Sequence, residues 1–342
     1  MGLKTYILKR VAMLIPVMLG VTVITFLLSH VIPSNPSWVW AGSMHATEET
    51  IQNVIERYHL NEPLYVQYLY YLSDLLRGDL GTSPVTNRPV LDDLRQYFPN
   101  TIELSVSSLI FSILVGIPLG VVSATRKDKL PDHVSRLFSL CGVSMPIFWL
   151  GLLLQMVFYY ELRWIPDPGG RISEEILVKF PVAHITGLKL LDSVLTGNWP
   201  ALLNLSVHII MPMICLSYSC IALISRMTRS AMLEVMRADY IRTARSTGFS
   251  ERVIIYKHAL RNALIPATTV IGFTVGWLLA GSVVTESVFY WPGIGQYAVN
   301  AAFRFDFPSI MGFTVFVALF YALASLVVDI TYAYLDPRIR YE

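Results

Sequence analysis

The sequence predicts an all-α membrane protein with six transmembrane helices, and three observations lead to that prediction. The 342 residues are 54% apolar and have a mean hydropathy of +0.54. Only 15% of them are charged, against about 25% in a typical soluble chain. Apolar segments of about 20 residues, the length that crosses a hydrocarbon core, recur along the chain, near 11–31, 101–124, 137–160, 202–224, 264–286 and 309–332. A soluble enzyme and a disordered chain both conflict with this composition.

The first apolar segment follows Lys4, Lys9 and Arg10, so a cleaved signal peptide is the alternative to a membrane span. Its apolar run is longer than the core of a signal peptide, and no small-x-small cleavage site follows it. We therefore predict an uncleaved first span, which together with its N-terminal flank occupies residues 1–31.

The distribution of cations predicts the orientation of the spans. One set of flanking segments carries 17 Lys and Arg in 71 residues, namely 1–10, 125–136, 225–263 and 333–342. The other set carries only 9 in 132 residues, namely 32–100, 161–201 and 287–308. The positive-inside rule makes the first set cytoplasmic, which places both termini in the cytoplasm.

Residues 32–100 form the longest outer segment and carry helix signals of their own. We predict a small extracytoplasmic helical cap with three short helices: one capped by Thr47, one from Pro63 to a stop at Gly78, and one over 89–98 that ends ahead of Pro99. The five-helix transmembrane core then covers 101–332, and 333–342 form a cytoplasmic tail.

Within the spans, most signals concern packing. Gly116 and Gly120 have the small-xxx-small spacing that lets two helix backbones approach closely. Pro118, Pro146 and Pro212 lie in mid-span, where a proline kinks a helix. The ionisable residues that we single out, Glu286 and Asp329, lie near predicted span ends. No chain of such residues crosses the membrane, which argues against a proton-coupled carrier.

Motifs for catalysis are absent from the sequence. It contains no H-E-x-x-H, no G-x-S-x-G and no G-x4-G-K-[ST] phosphate loop. Its three cysteines, Cys141, Cys215 and Cys220, lack metal-ligand spacing. We therefore predict no catalytic residue, no directly bound cofactor and no metal, and the net charge of +2 predicts no nucleic-acid partner.

Residues 225–263 form a long cytoplasmic loop that carries eight Lys and Arg in a helical register. Gly248 can adopt positive φ and divide this loop into two helical arms. Such an elbow either lies on anionic membrane lipid or docks a soluble partner.

The same loop carries a family resemblance. Asp239-Tyr-Ile-Arg-Thr-Ala-Arg-Ser-Thr-Gly248 and His258-Ala-Leu-Arg-Asn-Ala-Leu-Ile-Pro266 resemble the coupling loop of binding-protein-dependent ABC importer permeases, and among them the dipeptide/oligopeptide permeases most. Arg77-Gly-Asp-Leu-Gly81, Phe289-Tyr-Trp-Pro-Gly293 and Asp336-Pro-Arg338 resemble further segments of that family in the same order.

The chain departs from the family pattern at three places. Arg242-Thr243-Ala244 replaces the usual Glu-Ala-Ala, and Pro33-Ser-Asn-Pro36 replaces Pro-Gly-Asp-Pro. The outer segment near 167–200 is longer than usual. Because related permeases also carry oligosaccharides, the resemblance leaves an oligosaccharide as the alternative to a peptide substrate.

The resemblance implies one half of a transport pathway in the cell membrane. Its implied partners are a second, homologous permease subunit, two cytoplasmic ABC ATPases that bind ATP and Mg²⁺, and an extracytoplasmic solute-binding protein. The residues implied to couple to the ATPases are Asp239, Tyr240, Arg242, Thr243, Ala244, Arg245 and Gly248. The matching residues without an assigned role are Glu286, Pro292, Gly293 and Asp329, and for Glu286 we favour a structural role over solute contact.

Two other classes stay open at this point. A secondary carrier would transport its solute without any ATPase, and a membrane scaffold would show no flux with any partner. Copurification with two ATPases and a second six-span subunit is the observation that would support the importer.

Overall fold

A computed structural model describes residues 3–31, 40, 47–165 and 169–335 of the chain. These residues are helical with no β-strand among them, as the all-α prediction requires. In chain order the helices are α1 (Leu3–Val31), α2 (Glu48–Arg57), α3 (Leu64–Leu76), α4 (Val90–Thr125), α5 (Leu130–Ser144), α6 (Ile147–Leu154), α7 (Glu174–Lys179), α8 (Lys189–Leu195), α9 (Trp199–Val235), α10 (Asp239–Ser246), α11 (Glu251–Val253), α12 (Leu260–Val288), α13 (Ile294–Phe303) and α14 (Phe307–Leu335). Two π-helical stretches, Gln155–Glu161 and Ile254–Ala259, continue α6 and join α11 to α12.

Five of these helical stretches are long and apolar enough to cross a membrane: Ile7–His30, Val90–Thr125, Trp199–Val235, Glu251–Leu279 and Phe307–Ile330. A sixth is obtained if α5 and α6 count as one broken span. The predicted third span over 137–160 is not straight: its axis bends by 111° between Ser144 and Ile147, which confirms the kink predicted at Pro146. The cause is Pro146, which holds Met145 in an extended conformation with ψ of 125°.

The prediction of a short helix that ends ahead of Pro99 is wrong. Residues 89–98 and the predicted second span belong to one helix, α4, which has 36 residues. A proline inside a helix removes a single backbone hydrogen bond and kinks the axis, and α4 continues through Pro99. The other two helices predicted for the outer segment are present, and Thr47 caps α2 by accepting a hydrogen bond from the Thr50 amide at 3.3 Å.

The chain divides into two compact units. The first comprises Met1–Thr101 and Pro292–Glu342. In it α1 packs along α14, and Arg10 forms an ion pair with Asp329 at 3.2 Å. A separate apolar cluster joins the start of α4 to α13 and α14, with buried members Val90, Leu94, Ile294 and Tyr297.

The second unit comprises Ile102–Trp291 and is organised around α9, which packs against α5, α6, α8 and α12. Two glycines of α4 let it approach α9, as their spacing predicts. A Cβ at Gly116 would lie 3.0 Å from Ile224, and a Cβ at Gly120 would lie 2.6 Å from Thr228. Any larger residue at these positions would force the two helices apart.

Candidate functional site

Helix α10 is a short helix bounded by two bends. Residues 236–238 interrupt the helix after α9, and α10 starts after Ala238, whose ψ is 148°. At its other end Gly248 adopts a φ of +84°. The amide of Gly248 donates to the Arg245 carbonyl at 3.1 Å, and the amide of Phe249 donates to the Ala244 carbonyl at 3.3 Å. This pair of hydrogen bonds is a Schellman motif, so the predicted bend at Gly248 is confirmed.

One side of α10 is buried in an apolar cluster. Ile241 is fully buried and Ala244 is 8% exposed. The cluster also takes buried residues from the end of α4, the end of α9 and the segment that leads into α12: Val121, Ala124, Ala231, Met232, Ile254, Ala259 and Ala263. A helix of eight residues is marginal in isolation. Its contacts with three long helices therefore hold it in place.

Two polar contacts fix the orientation of α10. The Tyr240 hydroxyl oxygen accepts a hydrogen bond from Asn262 Nδ2 at 2.8 Å. Across the bend, Arg245 Nε lies 2.8 Å from Glu251 Oε1, and Arg245 Nη2 lies 3.4 Å from Glu251 Oε2. These contacts tie both ends of α10 to the helix that follows the bend.

The opposite side of α10 faces away from the cluster and is polar. Asp239, Arg242 and Thr243 are exposed, and Arg242 pairs with Asp239 at 3.3 Å with both side chains largely in solvent. A surface ion pair of this kind contributes little stability. The residues selected from the sequence thus fall into two groups: Ala244, Tyr240, Arg245 and Gly248 fix the helix, whereas Asp239, Arg242 and Thr243 form its free surface.

A buried ion pair stands beside this cluster and escaped selection from the sequence. Arg229 Nε and Nη2 lie 2.7 and 2.8 Å from the two oxygens of Asp132, which is fully buried. The same carboxylate accepts hydrogen bonds from Ser123 Oγ at 2.5 Å and from the Asp128 amide at 3.0 Å. The pair joins α4, α5 and α9 at the end of the bundle where α10 is attached. Its members are 97 residues apart, which no local pattern could reveal.

A second buried ion pair, between Glu103 of α4 and Arg171, also escaped selection. Glu103 accepts a hydrogen bond from the Leu190 amide at 2.5 Å, and the Arg171 guanidinium lies 5.2 Å from the Trp291 ring centroid. Burial lowers the pKa of Arg171 to about 10, so it remains charged at neutral pH. Glu103 lies inside the predicted second span, and an ionisable residue in such a position is itself the signal of a buried partner.

The outer segment after residue 161 is organised around Asp192 as well. Its carboxylate accepts hydrogen bonds from the Thr186 amide and hydroxyl at 2.8 and 2.6 Å and from the Gly187 and Ile185 amides at 3.2 and 3.3 Å. Burial alone would raise the pKa of Asp192. The hydrogen bonds lower the pKa by more than burial raises it, so it lies below the ordinary value. Residues 185–192 are thus an ordered structure rather than a plain loop.

The remaining family-motif residues lie apart from α10. Glu286 is fully buried near the end of α12. In the first unit, the Pro292 carbonyl accepts a hydrogen bond from Asn100 at 2.5 Å, and Gly293 precedes α13, where the Ile294 amide donates to Thr101 Oγ1 at 2.9 Å. Asp329 pairs with Arg10. Asp336, Arg338 and the segment 33–36 lie outside the described residues.

Together these features define a class of protein: a multi-span α-helical membrane protein that presents one short, firmly held helix on a bent elbow. Among the described residues, no group of three or more His, Cys, Asp and Glu side chains has the arrangement of a metal site.

Comparison with known proteins agrees with this class. Residues 116–341 match the family described as "Binding-protein-dependent transport system inner membrane component", and residues 3–105 match its N-terminal counterpart. The chain belongs to this family. It is accordingly a multi-pass inner-membrane permease component rather than a catalytic subunit.

Individual relatives match along almost the whole chain. The dipeptide transport system permease protein DppB of Alkalihalophilus pseudofirmus is 44% identical over 98% of this chain and 99% of its own length. The probable D,D-dipeptide transport system permease protein DdpB of Escherichia coli is 45% identical over 95% of this chain and 94% of its own. The di/tripeptide transport system permease protein DppB of Pseudomonas aeruginosa is 41% identical, with 99% of each chain covered.

Proposed function

We propose that this chain is a transmembrane subunit of an ATP-driven importer for di- and oligopeptides. It forms half of the solute pathway and couples to cytoplasmic ATPases through α10. The observation that carries the proposal is the division of α10 into a buried side, set into the ends of three long helices, and a free polar side.

A peptide is the substrate class that the relatives support. Three permeases whose names specify dipeptide or di/tripeptide transport are 41–45% identical to this chain over nearly its full length. These names favour peptides over the oligosaccharides that remained open from the sequence.

The partners follow from the division of labour in such an importer. The sequence carries no phosphate loop, so two ATPase subunits would supply ATP hydrolysis. A second, homologous permease subunit would complete the pathway, and an extracytoplasmic binding protein would deliver the peptide. The excess of Lys and Arg in the segments that flank α10 supports a cytoplasmic position for this helix and for both termini.

The contacts of α10 suggest how a movement of an ATPase would reach the spans. Ile241 and Ala244 share one close-packed cluster with residues of α4, α9 and the segment before α12. Packed interiors transmit displacement because they have little free space. A partner that moved α10 would therefore move the ends of three spanning helices together, as alternating access requires.

The bend at Gly248 provides the test. A proline there cannot adopt a φ of +84°, and it lacks the amide that donates to the Arg245 carbonyl, so the bend should be lost at a cost of about 3 kcal/mol or more. An asparagine tolerates the left-handed conformation and serves as the matched control. The full complex would be reconstituted in proteoliposomes with binding protein, ATP and labelled dipeptide.

We expect Gly248→Asn to transport near the wild-type rate and Gly248→Pro to hydrolyse ATP without uptake, although it still assembles. A Cβ at Gly248 has no atom within 4 Å. Any loss of uptake in Gly248→Ala therefore reports on backbone conformation alone, and the expected strain is about 1–2 kcal/mol.

Normal uptake by the proline variant would remove α10 from the mechanism. Uptake without ATPases would indicate a secondary carrier, and no flux with any partner would indicate a scaffold.

A further inference from the structure

A cleft of about 360 Å³ opens between α5 and α9, at the end of the second unit where α10 is attached. Serines form its floor: Ser135 is 6%, Ser139 is 9% and Ser225 is 2% exposed. Among the described residues, none forms a hydrogen bond with the hydroxyl of any of these three serines. Their hydroxyls are therefore available to a ligand in the cleft.

Three arginines surround these hydroxyls. Arg229 is engaged by Asp132, whereas no carboxylate of the described residues forms an ion pair with Arg136 or Arg226. Asp132 and, at longer range, Asp128 both act on Arg229, but the three guanidinium groups outnumber these carboxylates, so the cleft has an excess of positive charge. An arginine cluster with hydroxyl donors is suited to bind the oxygens of a phosphate group.

An apolar strip leads away from the arginines along the surface of α5. Leu140 and Val143 line the cleft and are 65% and 57% exposed. Leu137, three residues before Leu140 on the same helix, is 63% exposed. The same surface therefore offers a cationic pocket and, continuous with it, an apolar track along a helix of the membrane-spanning region.

We propose that this cleft binds an anionic phospholipid. Its phosphate is held by Arg136, Arg226 and the serine hydroxyls, and its acyl chains lie along the apolar strip. Charge complementarity at one end and exposed apolar surface at the other fit an amphipathic anion better than a free one. Basic pockets between membrane helices bind lipid head groups in the same manner.

The test uses the full-length chain in its complex, purified in detergent. Short-chain phosphatidylglycerol is compared with phosphatidylcholine by native mass spectrometry and by the shift in melting temperature. We expect the wild type to prefer phosphatidylglycerol. The double variant Arg136→Gln with Arg226→Gln should weaken that binding about thirtyfold, which corresponds to about 1 kcal/mol for each cation.

Two controls separate charge from structure. Arg252 is an exposed arginine outside the cleft, so Arg252→Gln should leave the preference intact. Arg136→Lys with Arg226→Lys keeps both charges and should retain most of the binding.

The proposal is overturned if the glutamine double variant binds phosphatidylglycerol as the wild type does. It is also overturned if inorganic phosphate stabilises the protein and phosphatidylglycerol does not, which would indicate a site for a free anion. A third contrary outcome is lipid preference in the isolated chain that disappears in the complex, which would assign the cleft to the partner subunit.

Discussion

The second unit contains two buried ion pairs that both anchor α4, and they differ in what surrounds them. Asp132, near the α10 end, is fully buried but receives four hydrogen bonds, and the side chain of its partner Arg229 is 21% exposed. Glu103 and Arg171 are both almost completely buried, and Arg171 belongs to the outer segment rather than to a long helix. The first pair joins spanning helices, whereas the second holds a connecting segment against one.

This difference predicts different costs of disruption. An unpaired charge costs far more free energy where water cannot reach it than where a long side chain can carry it into solvent. Arg229 can turn towards solvent when its partner is lost, and Glu103 cannot. Breaking the Glu103–Arg171 pair should therefore destabilise the protein more than breaking the Asp132–Arg229 pair.

The largest effect is expected from Arg171→Met. Removing this guanidinium leaves the Glu103 carboxylate buried without its partner, which typically costs about 3–5 kcal/mol. The melting temperature of the purified complex would measure the loss. The double variant Glu103→Gln with Arg171→Met removes both charges and should recover most of it. If the single and double variants have the same melting temperature, the charges of Glu103 and Arg171 are not coupled, which would contradict the geometry.

A smaller effect is expected from Asp132→Asn. The change removes the negative charge but keeps one oxygen, which can still accept from either Ser123 or the Asp128 amide, and Arg229 retains access to solvent. We expect a loss of about 1.5–3 kcal/mol, the worth of hydrogen bonds to a charged group. The same melting assay provides the comparison, and a loss equal to that of Arg171→Met would contradict the distinction between the two pairs.

The smallest effect concerns Asp192 and depends on pH. The pKa of this carboxyl is lowered in the folded protein, so its contribution to stability is complete above the ordinary Asp pKa of about 3.9. It is lost as the pH falls through the lowered value. Hydrogen exchange of the Ile185, Thr186 and Gly187 amides should accelerate over that range in the wild type.

Asp192→Ala supplies the matched control for that measurement. It should raise the exchange of the same amides at neutral pH by the equivalent of about 1–2 kcal/mol and remove the acid-dependent step. An unchanged step in this variant would assign the titration to another group.

Much of the fold follows from local patterns in the sequence. Apolar segments of membrane length identify the spans, and Gly248 predicts the bend because the left-handed conformation belongs to glycine. The same reasoning failed at Pro99, where it ended a helix that α4 continues through, whereas it correctly predicted a kink at Pro146, where the chain bends by 111°. A proline's local effect is fixed, but whether the helix survives depends on tertiary packing.

The ion pairs were beyond the reach of those patterns. Glu103 and Arg171, or Asp132 and Arg229, meet only after distant helices have packed. A single sequence shows that each residue is charged but not which partner compensates it. Helix α10 could be singled out from the sequence because all of its selected residues lie in one continuous segment, although its burial pattern could not be predicted.

The contact between Arg10 and Asp329 has a topological consequence. Arg10 lies near the start of α1 and Asp329 near the end of α14, and their side chains are 3.2 Å apart. The first crossing therefore begins at the membrane face where the last crossing finishes. A chain that starts and finishes on one face has crossed an even number of times. Five crossings by the five long apolar helices alone would put these two ends on opposite faces, so this contact favours counting α5 and α6 as one broken crossing.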